Sequence, residues 1–172
     1  MKYDYIRLYE KNAAFFNAHK RAKSFLYGVN AFLTACFPLA YSCAWGYEIF
    51  FGKANAKLLL WLFVLPAFAL LAVSVLRLAI SRPRPYCKDG ANITPVIEKP
   101  SRDTSSFPSR HTASAAVIAT TLLRFFPLLG GFLLIATLAL AYARFALGWH
   151  YPSDLLTGLG LGGGIGACIF LI

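Results

Sequence analysis

Charge is scarce in this sequence, and acidic charge is scarcest. Only 14% of the 172 residues are Asp, Glu, Lys or Arg, and just 7 of those are acidic, whereas an average soluble chain is about 25% charged. No set of carboxylates is grouped for magnesium, and no Cys/His set is spaced for zinc. The four cysteines, Cys36, Cys43, Cys87 and Cys168, form no CxxC pair. They read as buried thiols rather than as a disulfide framework or a metal site. The first residues, "MKYDYIRLYEKN", lack the early apolar core that a signal peptide needs. The chain has no internal repeat and no low-complexity linker. Its net charge of +10 comes without a DNA- or RNA-binding motif, so no nucleic-acid partner is expected. Basic residues between apolar runs set topology and attract anionic head groups.

What is present is grease. Hydrophobic residues make up 58% of the chain, and runs such as "LLLWLFVLPAFALLAVSVL" approach the roughly 20 residues that span a bilayer. The expected fold is an all-α, polytopic membrane helix bundle of about five transmembrane helices, preceded by an amphipathic interfacial helix. Residues 1–26 form the interfacial segment, with Ile6, Tyr9, Ala13 and Phe16 at helical spacing. Residues 27–172 form the transmembrane domain. Its apolar stretches run from Tyr27 to Phe51, Ala56 to Ile80, Thr112 to Leu129, Phe132 to Leu147 and Leu155 to Ile172, the third closed by Gly130 and Gly131. Gly158, Gly162 and Gly166 recur every four residues in the last. Such spacing lets helices approach closely, or simply reflects how common glycine is in membrane helices. If each stretch crosses once, the polar loop 81–109, the turn 148–154 and the amino-terminal segment share one membrane face.

Three polar clusters therefore converge. In "RLAISRPRPY" (Arg77 to Tyr86), two prolines end the helix and push Arg82 and Arg84 toward extended geometry. Arg82 and Lys88 read as membrane-edge anchors; for Arg77 and Arg84 anchoring and function stand level. In "SSFPSRHTASAA", Ser109 is placed to cap a helix whose first amides, near Arg110 and His111, favour an anion. In "ARFALGWHYPSD", Arg144 lies within an apolar run, and Asp154 follows His150 by four residues. A hydrogen bond donated by one ring nitrogen to Asp154 would leave the other as a nucleophile; a purely structural bond explains the spacing equally well. Several arginines, two histidines, a serine and a carboxylate on one face suit metal-free phosphoryl transfer to an imidazole.

In the order and spacing of these clusters the chain resembles the type-2 phosphatidic acid phosphatase superfamily, lipid phosphatases related to vanadium haloperoxidases. The family pattern KxxxxxxRP, PSGH, SRxxxxxHxxxD reads here as "RLAISRPRP", "PSRH" and "ARFALGWHYPSD". Arg77 stands at the lysine, Arg110 at the glycine and Ala143 at the first serine of the third part. The resemblance implies that His150 attacks phosphorus, Asp154 orients it, and His111 protonates the leaving group and then activates water. It implies that Arg77, Arg84, Ser109, Arg110 and Arg144 hold the phosphoryl oxygens, with no cofactor. The expected substrate is a lipid phosphate or pyrophosphate: polyprenyl pyrophosphate, phosphatidylglycerophosphate or phosphatidate.

For the membrane face, Lys2, Arg7, Lys11, Lys20, Arg21 and Lys23 outnumber Lys53 and Lys57, which points to a cytoplasmic site. The resemblance points to the outer face of the cell membrane, and the reading leans there. The competing classes are a non-catalytic lipid-binding scaffold and an anion transporter using Arg77, Arg124 and Arg144.

Overall fold

The computed structural model describes residues 2–52, 55–98 and 105–172, with side chains from residue 5 onward. Lys53, the side chain of Lys2 and residues 99–104 of the polar loop lie outside the described residues. The described chain is all helical: α1 (Lys2–Ala18), α2 (Lys20–Phe50), α3 (Ala56–Ile80), α4 (Arg110–Phe125), α5 (Pro127–Ala146) and α6 (Pro152–Ala167), closed by a 3-10 turn at Cys168–Leu171. Among the described residues, four helical segments are long and apolar enough to cross a membrane: Lys20–Phe50, Ala56–Ile80, Pro127–Ala146 and Pro152–Leu171. The protein is a multi-pass membrane protein. Its outward surface is a hydrocarbon-like coat of exposed side chains such as Phe32, Leu39, Phe63, Leu71, Leu78, Phe132 and Ile135.

The shorter α4 is the hub. Its 16 residues extend about 24 Å, short of a hydrocarbon core of about 30 Å, and it touches α2, α3, α5 and α6. Ala113, Ala115, Ala116, Val117, Ala119 and Leu122 are buried on nearly every side of it, as a small-residue helix surrounded by partners requires. Its end differs from the sequence expectation. The break falls at Phe126 and Pro127, while Gly130 and Gly131 lie inside the first turns of α5. Pro127 has no N–H to continue α4 and fits the first position of a new helix.

The glycine repeat of α6 packs on α4. A Cβ at Gly162 would come within 2.9 Å of the Ala113 carbonyl carbon and of the Ala116 Cβ, whereas one at Gly160 meets no atom within 4 Å among the described residues. Gly162→Ala should therefore destabilise the bundle by about 1–3 kcal/mol through overpacking. Gly160→Ala should be neutral, with both read as thermal midpoints in detergent.

Two findings concern the amino-terminal segment. First, α2 begins at Lys20, inside the stretch assigned to residues 1–26, because 20–26 contains no helix breaker and joins the apolar run. Second, the apolar face of α1 is covered by protein. Tyr5, Tyr9, Ala13 and Phe16 are buried in a cluster with Val96, Leu147, Trp149 and Leu155, and Tyr9 donates to the Thr94 carbonyl at 2.9 Å. α1 thus braces the polar loop and the α5–α6 link, the two segments that carry the candidate site.

Candidate active site

The carboxyl ends of α3 and α5 and the amino ends of α4 and α6 meet at one end of the bundle, and backbone hydrogen bonds join the three polar clusters there. Ser81 closes α3 in a left-handed conformation (φ 44°), after which Pro83 bridges to Ser105 and Arg84 opens a turn closed by the Cys87 amide. The Ser106 amide donates to the Arg82 carbonyl at 2.8 Å, and the Ser109 amide donates to the Asp154 carbonyl at 3.0 Å. Arg77, buried in the last turn of α3, donates to the Pro108 carbonyl at 2.9 Å and to the Ser105 carbonyl. It clasps α3 to the segment that launches α4.

His150 lies at the centre and is 2% exposed. Its Nδ1 is 3.0 Å from the Ser106 carbonyl oxygen, and its Nε2 is 3.2 Å from Nη1 of Arg84. A carbonyl only accepts and a guanidinium only donates. The proton therefore sits on Nδ1, and Nε2 carries the lone pair. Burial pushes the imidazole down to about pKa 4; the Arg84 and Arg144 charges act in the same direction, and contact with Asp154 opposes them. A neutral imidazole with its Nε2 lone pair turned toward cations has the chemistry to act on an anionic electrophile.

The expected Asp154 hydrogen bond to His150 is replaced by a different arrangement. Asp154 Oδ2 stands 3.6 Å from Nδ1, beyond hydrogen-bond reach, because the Ser106 carbonyl occupies that direction. The carboxylate is fully buried and is held elsewhere. Oδ2 accepts from the Tyr151 amide at 3.0 Å, as an acid at the third position of a helix does. Oδ1 pairs with Arg82 Nη1 at 2.9 Å. Asp154 acts on the imidazole by charge, without a direct bond.

Arg82, read from the sequence as a membrane-edge anchor, thus packs against the candidate site through Asp154. Its guanidinium also donates to Ser153 Oγ at 2.7 Å and lies 4.0 Å above the Tyr151 ring. The signal was present: Arg82 and Arg84 each precede a proline, and residues two apart on an extended chain face the same way. Both reach the start of α6.

Arg84 is 2% exposed and shares Nη1 between His150 Nε2 and the Trp149 carbonyl, the latter at 3.0 Å. Arg144 is equally buried. Its Nη2 donates to Thr34 Oγ1 at 3.2 Å, and the guanidinium carbon is 5.7 Å from the centre of the Trp149 ring. Its Nε and Nη1 are buried with no hydrogen-bond partner among the described residues. Buried donors are costly unless an acceptor comes to them, and a guanidinium edge matches phosphate oxygens.

Ser109 caps α4 as expected by position, but its Oγ pairs with Thr112 Oγ1 at 3.0 Å, and it makes no side-chain cap bond. Arg110 and His111 are exposed in the first turn of α4 and line a cleft of about 400 Å³ whose floor includes Phe37, Leu70, Ile118 and Leu140. All eight residues read from the sequence as site residues therefore gather at one end of the bundle. Arg124, in the last turn of α4, lies at the other end. That separates it along α4 from Arg77 and Arg144.

The sequence profile of the PAP2 superfamily matches residues 58–172, two thirds of the chain and all three polar clusters. This chain belongs to the PAP2 superfamily. A PAP2 crystal structure from Bacillus subtilis, that of a transmembrane phosphatidylglycerolphosphate phosphatase, superposes with a TM-score of 0.65 at 22% identity, covering 98% of this chain and 94% of that one. The two share the PAP2 membrane fold. No curated protein sequence matches the chain. The PAP2 match begins within α3, so α1 and α2 pack on the site from outside the matched segment.

Proposed function

We propose that this protein is an integral-membrane, metal-independent lipid phosphatase working through a phosphohistidine. The observation that carries the reading is the buried, neutral His150, its Nδ1 proton on a carbonyl and its Nε2 facing a guanidinium, beside two Arg144 donors that have no partner among the described residues. When a phosphate enters, Arg84 Nη1 passes from Nε2 to a phosphoryl oxygen, which frees the lone pair. Nε2 then attacks phosphorus, the P–O bond to the leaving group breaks, and His111 gives that oxygen a proton. The phosphorylated imidazole is cationic, and the Ser106 carbonyl and the Asp154 carboxylate stabilise it. In the second half His111 takes a proton from water, which attacks phosphorus and returns the electron pair to Nε2. Arg84 and Arg144 hold the phosphoryl oxygens throughout. Arg77 and Ser109 fix the segment around them, and Arg110 adds a cation at the mouth.

Lipid substrates fit the cleft, whose floor is apolar and whose mouth carries His111 and Arg110. They also fit an interfacial setting for α1, Lys2–Ala18, packed against the site ahead of transmembrane helices that begin at Lys20. For the membrane face the family resemblance favours the outer side of the cell membrane, while the basic amino-terminal residues favour the cytoplasmic side; the reading leans to the outer side. The test is phosphate release in detergent, with excess chelator, from phosphatidate, phosphatidylglycerophosphate, polyprenyl pyrophosphate and water-soluble glycerol phosphate. At least one lipid should be hydrolysed at a rate unchanged by chelator and well above that of the soluble ester. Dependence on added metal, or equal turnover of the soluble ester, would contradict the reading.

A further inference from the structure

The PAP2 match starts at residue 58, yet α2 reaches into the site through one hydroxyl. Thr34 Oγ1 donates to the Asn30 carbonyl at 2.7 Å, the i−4 bond of a helical threonine. With its single proton committed there, the oxygen can only accept from Arg144 Nη2, 3.2 Å away. That contact is the hydrogen bond the structure gives this guanidinium, whose Nε and Nη1 have none among the described residues. Trp149, 5.7 Å from the guanidinium carbon, restrains the group by an aromatic contact but supplies no hydrogen-bond direction. Thr34 also lines the cleft shared with Arg110 and His111, so the contact lies beside the expected path of the substrate.

We propose that Thr34 is a positioning residue for phosphoryl transfer: by holding Nη2 it fixes the rotation of the Arg144 guanidinium, so that the N–H groups of Nε and Nη1 are kept in set directions to donate to phosphoryl oxygens. The inference rests on the proposed phosphatase reading. It adds a hydroxyl from an apolar helix that none of the three motifs contains. A guanidinium free to turn in a buried pocket would lose orientation when charge develops on those oxygens, which is where fixed donors matter most.

Thr34→Val keeps the shape and removes the acceptor, while Thr34→Ser keeps the acceptor and removes a methyl group. With the lipid that wild type turns over best, Thr34→Val should lower kcat about tenfold, the scale of a hydrogen bond to a charged group. It should raise the inhibition constant of inorganic phosphate by a similar factor and move KM less than kcat, because burial of the lipid chain contributes to KM and does not depend on Arg144. Thr34→Ser should return both kcat and the phosphate constant to within about twofold of wild type. If valine disturbs the α2–α5 packing, seen as a lowered thermal midpoint, Thr34→Ala against Thr34→Ser gives the same comparison. Wild-type kcat and phosphate inhibition in the hydroxyl-free variants, or equal loss in alanine and serine, would overturn the assignment of Thr34. Absence of lipid phosphatase activity in the wild type would instead overturn the underlying reading.

Discussion

His150→Asn is expected to reduce phosphate release from the best lipid substrate by at least about 10⁴-fold, the scale on which loss of a covalent nucleophile acts. Asparagine is the informative choice because its amide can still donate to the Ser106 carbonyl that holds Nδ1 at 3.0 Å, so the polar loop keeps its anchor while the nucleophile is gone. The thermal midpoint should move little compared with activity. A variant retaining more than about 1% of wild-type turnover would remove His150 from the covalent role. The same residue sets a pH expectation. Its folded pKa is lowered to about 4, so the imidazole stays neutral, and nucleophilic, down to that pH. At pH 5 an ordinary histidine of pKa about 6.5 is about 97% protonated. Wild-type kcat/KM, corrected for ionisation of the substrate, should therefore still be near its plateau at pH 5 and fall only toward pH 4. Stability follows the same sign: the unfolded chain binds a proton on this group below about pH 6.5 that the folded one refuses until about pH 4. Acid therefore destabilises the fold across that interval.

The second large effect is expected at Arg84. A single nitrogen, Nη1, serves both the Trp149 carbonyl and His150 Nε2 from a site that is 2% exposed. Arg84→Lys keeps the charge but replaces a planar fork with one ammonium on a flexible stem. It can satisfy the carbonyl or meet the phosphate, but it cannot hand over from Nε2 to a phosphoryl oxygen with fixed geometry. The account predicts a fall of about 10²–10³-fold in kcat and in kcat/KM alike, the pattern of an interaction realised in the transition state. A lysine variant with unchanged kcat and only a raised KM would mean that Arg84 merely binds substrate.

How much of this could be read from the sequence differs by kind of contact. The apolar runs fixed the membrane class because helix length against bilayer thickness is a strong constraint. The spacing of Arg84, His111, His150 and Asp154 was legible because polar groups in an apolar chain stand out. The α4–α5 break lies at Pro127, which cannot continue a helix, and not at the two adjacent glycines, whose pairing imitates a turn. The anchor of His150 was hidden for a deeper reason. It is the backbone carbonyl of Ser106, which any residue type could supply. Arg82 reads in sequence as an anchor because an arginine at a helix end needs no other partner than the membrane edge. Thr34 gave no signal, since a threonine in an apolar helix satisfies itself on the carbonyl four residues back, and its second role needs the fold to bring Arg144 alongside.

The proposition beneath the whole account is that phosphorus becomes bonded to His150 Nε2. The direct measurement is rapid quenching into alkali of the wild-type enzyme turning over a lipid labelled with ³²P at the transferred phosphate, followed by peptide mapping in the presence of chelator. The account predicts an alkali-stable, acid-labile label on the peptide containing His150, present in the first turnover and missing from His150→Asn. Label on a serine or aspartate, or turnover with the label passing directly to inorganic phosphate and none on the protein, would contradict it.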